Sequence, residues 1–123
     1  MKRCLVIDDS KVIRRVISRA VVELGFEVQE AEDGRRGLDS CLESMPDVVI
    51  VDWNMPVMTG IEFVRGLRAA AGGTAPKVLM CTTENDSAHI LEALSAGADE
   101  YIMKPFDTPI LAGKLAQIGA TDP

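Results

Sequence analysis

Residues 48–56 read VVIVDWNMP. Val48, Val49, Ile50 and Val51 are β-branched and apolar without alternation, the pattern of a strand buried on both faces. That strand ends on Asp52, and Pro56 closes the stretch. A carboxylate at the edge of an apolar layer is costly unless something offsets it. The run therefore poses two questions: what covers the strand, and what compensates its last residue.

Outward from this stretch, short apolar runs alternate with longer amphipathic ones. CLVID (4–8), FEVQEA (26–31), KVLMCT (77–82) and EYIM (100–103) read as further strands. After CLVID, Ser10 can cap a helix with Val12, Ile13, Val16, Ile17, Ala20, Val21 and Leu24 at helical spacing, stopped by Gly25. Asp33-Gly34 opens a second helix with Leu38 and Leu42 on one face, ended by Pro46. Gly60 begins a third, with Ile61, Phe63, Val64 and Leu67, ended by Gly72-Gly73. Asp86 or Ser87 caps a fourth, with Ile90, Leu91 and Leu94, ended by Gly97. Thr108 caps a fifth, with Pro109 in its first turn and Ile110, Leu111, Leu115 and Ile118 apolar. Five βα units in strict alternation predict an α/β fold: a doubly wound, five-stranded parallel sheet covered by helices on both faces. The order 2-1-3-4-5, a flavodoxin-like (βα)5 arrangement, follows as the natural candidate. Ligands of such sheets bind beyond the carboxyl ends of the strands where the order reverses, here between strands one and three.

Composition bounds the remaining classes. The 123 residues suit one domain, with 47% hydrophobic and 26% charged residues. A net charge of −6 excludes the electrostatic footprint of a nucleic-acid binder. Arg14, Arg15, Arg19, Arg35 and Arg36 are read as solvated helix faces. Cys4, Cys41 and Cys81 lack metal-ligand spacing; Cys4 and Cys81 lie in apolar runs as small core residues. No signal peptide opens the chain, and no apolar run approaches the ~20 residues of a membrane helix. A cytoplasmic protein with no membrane insertion is expected.

The polar residues gather at the strand ends. Strand one ends at Asp8-Asp9, strand three at Asp52 and strand four at Thr82-Thr83; Lys104-Pro105 follows strand five. In a parallel sheet these positions share one edge. Three carboxylates within a few ångströms repel one another, and a hard divalent cation removes that conflict. Magnesium suits the set because it takes one or two carboxylates, keeps waters and leaves room for phosphate oxygens. Asp52 could then attack a phosphoryl group, with Lys104 and Thr82 contacting phosphate oxygens.

Together, VIDDS (6–10), VVIVDWNMPVMTGIEF (48–63), VLMCTTE (78–84) and AGADEYIMKPF (96–106) resemble the receiver domain of two-component response regulators, in its single-domain chemotaxis form. The resemblance spans 1–123 and implies a receiver without an output domain. It implies that Asp52 is the phospho-acceptor and that Asp9, Asp52 and the Asn54 backbone carbonyl hold Mg2+, with Asp8 acting through a metal-bound water; Mn2+ can substitute. Thr82 and Tyr101 would form a switch pair, Thr82 moving toward the phosphate while the Tyr101 ring turns inward. Lys104 would precede Pro105 across a cis bond. Asn54, Thr83 and Glu84 would tune phosphate lifetime, Thr83 by narrowing access where the family favours a small residue. The implied partners are a sensor histidine kinase or histidine phosphotransfer protein and a downstream protein, with a flagellar motor switch as one candidate. The target would dock on the face of helix four, strand five and helix five, and a monomer is expected.

Singly, each residue has a plainer reading. Asp8-Asp9 suits a helix N-terminus, Thr82 suits a strand, Lys104 suits a surface, and His89 suits a solvated helix. Their coincidence at neighbouring strand ends favours the shared site. Two alternatives remain in view. A Mg2+-dependent phosphohydrolase with an aspartyl-phosphate intermediate would place a second acid two residues after the nucleophile, where Asn54 stands. A flavodoxin-like cofactor binder would need a phosphate loop that the acidic strand ends do not offer. A phosphate sink or adaptor would use the same active site.

Overall fold

The computed structural model describes residues 1–83 and 87–121. Its elements are β1 (Arg3–Ile7), α1 (Lys11–Glu23), β2 (Glu27–Ala31), α2 (Gly34–Glu43), β3 (Val48–Asp52), α3 (Gly60–Ala69), β4 (Lys77–Thr82), α4 (Ser87–Ala96), β5 (Glu100–Met103) and α5 (Thr108–Gln117). All the strands pair in parallel, in the order β2-β1-β3-β4-β5. This is the doubly wound sheet expected from the alternation of runs.

Strand alternation divides the core in two. Leu5, Ile7, Val49, Val51, Val78 and Met80 face one side, against Cys41 of α2, Phe63, Val64 and Leu67 of α3, and Ala93 of α4. Cys4, Val6, Val48, Ile50, Leu79, Cys81 and Ile102 face the other, against Ile17 and Val21 of α1 and Leu111 and Leu115 of α5. β3 is buried at all five positions because both layers cover it. Edge strand β2 is buried only at Ala31.

The helix faces differ from expectation in instructive ways. In α1 the buried residues are Ile17, Ser18 and Val21, while Val12, Ile13 and Val16 are exposed. The packed stripe runs along positions 14, 17, 18 and 21, rotated from the one the apolar residues suggest. In α2, Gly34, Gly37 and Cys41 are buried and Leu42 is exposed. A Cβ at Gly37 would lie 2.4 Å from Ile7 Cδ1, so the glycine lets α2 approach β1 closely, while Leu42, one residue past buried Cys41, falls on the outward side. In α4, Ala93 takes the buried position and Leu91 and Leu94 are exposed, leaving two leucines on the surface. Ile110 of α5 is likewise exposed.

Helix ends also shift. Asp107, not Thr108, caps α5 by accepting the Ile110 N–H at 2.9 Å. α3 stops at Ala69, before Gly72-Gly73, as the chain turns through bonds from Ala70 N–H to Leu67 O and from Gly73 N–H to Ala70 O. Its start carries a capping box in which Thr59 and Glu62 satisfy each other's backbone N–H groups. β1 ends at Ile7, one residue before its expected end, and β2 starts at Glu27, with Phe26 packed in the core just outside it. Asp86, the alternative cap for α4, lies outside the described residues, and Ser87 is the first residue of that helix.

Candidate metal and phosphoryl site

β3 delivers Asp52 to the sheet edge, and the next residues fix it there. Trp53 N–H donates to Cys81 O at 3.0 Å, and Gly60 N–H donates to Trp53 O at 2.9 Å. A Cβ at Gly60 would sit 2.5 Å from Asp52 O and 2.7 Å from Trp53 Cα, so glycine allows the start of α3 to press against the Asp52 backbone. Trp53 leans on His89 of α4, with ring centroids 3.9 Å apart. His89 is thus half-buried in a ring contact, not the solvated residue its position suggested.

Asp8, Asp9 and Asp52 converge, with one carboxylate oxygen from each lying within 4.8 Å of the others. Asp8 and Asp52 are buried and Asp9 is exposed. Asp8 is held on both oxygens: Oδ1 accepts the Ser10 N–H at 2.9 Å, and Oδ2 accepts Lys104 Nζ at 2.7 Å. The same ammonium lies 3.4 Å from Asp52 Oδ1. Burial pushes the Asp52 carboxyl above its usual range and the Asp8 charge adds to this, against the opposing pull of Lys104 and of the Asn54 N–H. Burial alone would lower Lys104, but its bond to Asp8 and the Asp52 charge outweigh that and hold it above the ordinary lysine value. One ammonium therefore bridges two of three clustered carboxylates. That donor set fits a hard divalent cation: all oxygen, charge-deficient and open on the Asp9 side.

The remaining expected residues lie nearby. Thr82 is buried at the end of β4, Thr83 is exposed just after it, and Asn54 is exposed two residues past Asp52. The Lys104–Pro105 peptide is cis. Glu84 lies outside the described residues. In sheet register Tyr101 pairs with Met80 and Thr82 with Met103, so Thr82 and Tyr101 share a face one residue pair apart. Tyr101 is half-buried on the edge strand.

Two features escaped the sequence reading. Arg14, expected on a solvated face, turns inward: Nη1 donates to Asp8 O and Nε to Glu30 Oε1, both at 2.8 Å. Its place in the stripe 14-17-18-21 was the available signal. Second, Ile13, Val16, Ile17 and Phe106 line an apolar groove that opens beside Thr83 and Lys104. The three thiols offer no competing nucleophile: burial pushes Cys4 up to about 12 and Cys41 up to about 11, and raises Cys81 as well.

The sequence pattern of the response regulator receiver domain matches residues 4–116. The chain belongs to the receiver-domain family. A chemotaxis protein CheY homolog of Campylobacter jejuni is 39% identical over 121 residues, covering 97% of this chain and 93% of the relative. Among solved structures, the Vibrio cholerae chemotaxis protein CheY4 superposes with a TM-score of 0.91 at 37% identity, covering 96% of this chain and 98% of its own. The receiver domain of a Pseudomonas aeruginosa sensor histidine kinase, with a magnesium ion coordinated in its active-site cleft, has a TM-score of 0.88 at 27% identity, covering 96% and 98%. This receiver domain is thus of the CheY type, a class of signalling switch, and none of its described helices is long and apolar enough to cross a membrane.

Proposed function

We propose that the protein is a response regulator whose receiver domain takes a phosphoryl group onto Asp52 from a histidine kinase or histidine phosphotransfer protein and signals by protein binding. The observation that carries this reading is the convergence of Asp8, Asp9 and Asp52 within 4.8 Å of one another, with the Lys104 ammonium bridging Asp8 and Asp52. Asp8, Asp9, Asp52 and the Asn54 carbonyl are the groups to hold Mg2+, or Mn2+ in its place. When bound, the cation offsets the charge of the acid cluster and of the incoming phosphoryl oxygens.

The chain's own residues do the rest. A carboxylate oxygen of Asp52 attacks phosphorus, the P–N bond of the phosphohistidine breaks, and the departing imidazole takes a proton from solvent. Lys104 pairs with one phosphoryl oxygen and the Thr82 hydroxyl donates to another, so charge is met by groups already in position. Arg14 and Ser10 keep Asp8 in place through its backbone and side chain. The donor approaches over the rim of Thr83 and Lys104, where Ile13, Val16 and Phe106 form the apolar part of the path. In the return step, water attacks phosphorus, the P–O bond to Asp52 breaks and inorganic phosphate leaves. Asn54, Thr83 and Glu84 set the rate of that step.

The output reading rests on Tyr101 and the helices flanking β5. Thr82 moves to the phosphate, Tyr101 turns into the vacated space, and the α4–β5–α5 face changes its affinity for a target, with a flagellar motor switch as the candidate. Leu91, Leu94 and Ile110 stand exposed on α4 and α5 and supply apolar contact there. Acetyl phosphate with Mg2+ should label the protein on Asp52, as read by intact-mass spectrometry. Equal labelling of Asp52→Asn would remove the mechanism, and steady turnover of phosphate monoesters would favour a phosphohydrolase.

A further inference from the structure

β5 is the edge strand, and the two sides of its backbone meet different helices. Ile102 pairs with Cys81 and points to the layer holding Leu111 and Leu115 of α5. Tyr101 points to the opposite face, with Met80 and Thr82. Lys114 of α5 nevertheless reaches around the edge, and its Nζ lies 4.7 Å from the centroid of the Tyr101 ring. The ammonium is anchored there: Glu100 Oε1 is 3.9 Å away, and Glu100 Oε2 accepts Gln117 Nε2, one turn along α5, at 2.8 Å. Glu100 Oε1 also accepts the Tyr101 backbone N–H at 3.0 Å. Cation, ring and anchor form one unit at the rim of the sheet.

We propose that Lys114 is a positioning residue of the switch: its ammonium, fixed by Glu100, holds the Tyr101 ring at the sheet edge and opposes inward rotation until phosphorylation. This rests on the reading of Tyr101 as the moving half of the Thr82–Tyr101 pair. A ring turned toward β4 leaves a cation that reaches it from the edge, and the attraction between ammonium and ring face is lost. The Glu100 contact survives the rotation, so the bias equals the ring contact alone. At partly exposed sites such contacts shift an equilibrium by about two- to fivefold. That is small enough for phosphorylation to overcome. It is large enough to set how much of the unphosphorylated protein is already switched on.

The composition makes the test direct. Tyr101 is the only tyrosine and Trp53, beside the acceptor, the only tryptophan. In the full chain carrying 3-fluorotyrosine, a single 19F resonance reports Tyr101. Titration with beryllofluoride and Mg2+, followed by Trp53 fluorescence, reports the acceptor site. Lys114→Met should move the beryllofluoride-free resonance toward its bound position and lower the half-saturating beryllofluoride concentration by about two- to fivefold. Lys114→Arg, which keeps a cation over the ring, should match the parent protein. If Lys114→Met changes neither readout while beryllofluoride still shifts the parent resonance, the brake is refuted and the switch stands. Equal effects of the Met and Arg variants also refute it, because charge is then not the agent. A parent resonance unmoved by beryllofluoride removes the switch reading itself, and the brake with it.

Discussion

At the amino edge of the sheet, every charged group of two clusters has found a partner. Asp47 Oδ2 accepts the Arg3 N–H at 2.8 Å, and Arg3 Nη2 donates to Met45 O. Arg68 donates to Gly97 O, Gly73 O and Pro76 O and to Asp99 Oδ2, which in turn accepts the Val78 N–H at 2.7 Å. At the carboxyl edge three carboxylates cluster, and Lys104 bridges two of them, Asp8 and Asp52. The same residue types staple one end of the sheet and leave the other short of positive charge. The difference teaches where to look for function: a closed network stabilises the fold, whereas an unbalanced one is completed by something that comes and goes.

The largest effect expected from this contrast is on metal linkage. Mg2+ at a hundred times its dissociation constant should stabilise the protein by about 2.7 kcal/mol in urea unfolding, and Asp9→Asn should shrink that gain. No gain with Mg2+ would break the contrast. It should also reverse a pH slope. Because the Asp52 pKa is raised in the folded protein, its contribution to stability without metal is fully present below the unfolded carboxylate pKa. It is lost as pH rises through the folded value. A bound cation favours the ionised form, so the gain from Mg2+ should instead grow over the same range. Melting temperatures of the parent and of Asp52→Asn, with and without Mg2+, isolate this contribution.

Next in size is Arg68→Ala, which should cost about 2 kcal/mol through lost charge-assisted hydrogen bonds, yet leave Mg2+ half-saturation on Trp53 fluorescence unchanged. A loss of metal affinity with intact stability would contradict the division between the two edges. The smallest effect lies in the loop after Asp52. Val57 is exposed with φ 71°, and Met58 N–H donates to Pro56 O at 2.8 Å, closing a tight turn around it. A β-branched residue is strained there, so Val57→Gly should stabilise the fold by about 1 kcal/mol in the urea midpoint. An unchanged midpoint would mean that the loop stores no strain.

Much of this was legible beforehand, for a physical reason. VVIVD, KVLMCT and EYIM match β3, β4 and β5 to the residue because burial on both faces, or at an abrupt sheet edge, leaves unbroken runs with sharp ends. The positions of Asp8, Asp9, Asp52, Thr82 and Lys104 then follow from topology. Helix faces were less legible because α1 carries two overlapping stripes. Val12, Ile13 and Val16 look buried until the sheet chooses the stripe with Arg14 instead. Leu42, Leu91 and Leu94 misled for a related reason: small residues, Gly37 and Ala93, take the contact, and hydrophobicity alone does not say which side packs. The Trp53–His89 and Tyr101–Lys114 contacts join distant elements and leave no local pattern at all.

The bond between Lys104 and Asp8 spans 96 positions of the chain. During synthesis Asp8 emerges long before the Lys104 ammonium that it binds. A chain halted just before Lys104 would contain all five strands and the three clustered acids, yet lack the group that tempers their repulsion. The charge balance of the acid cluster is therefore completed late, with nearly the whole domain made.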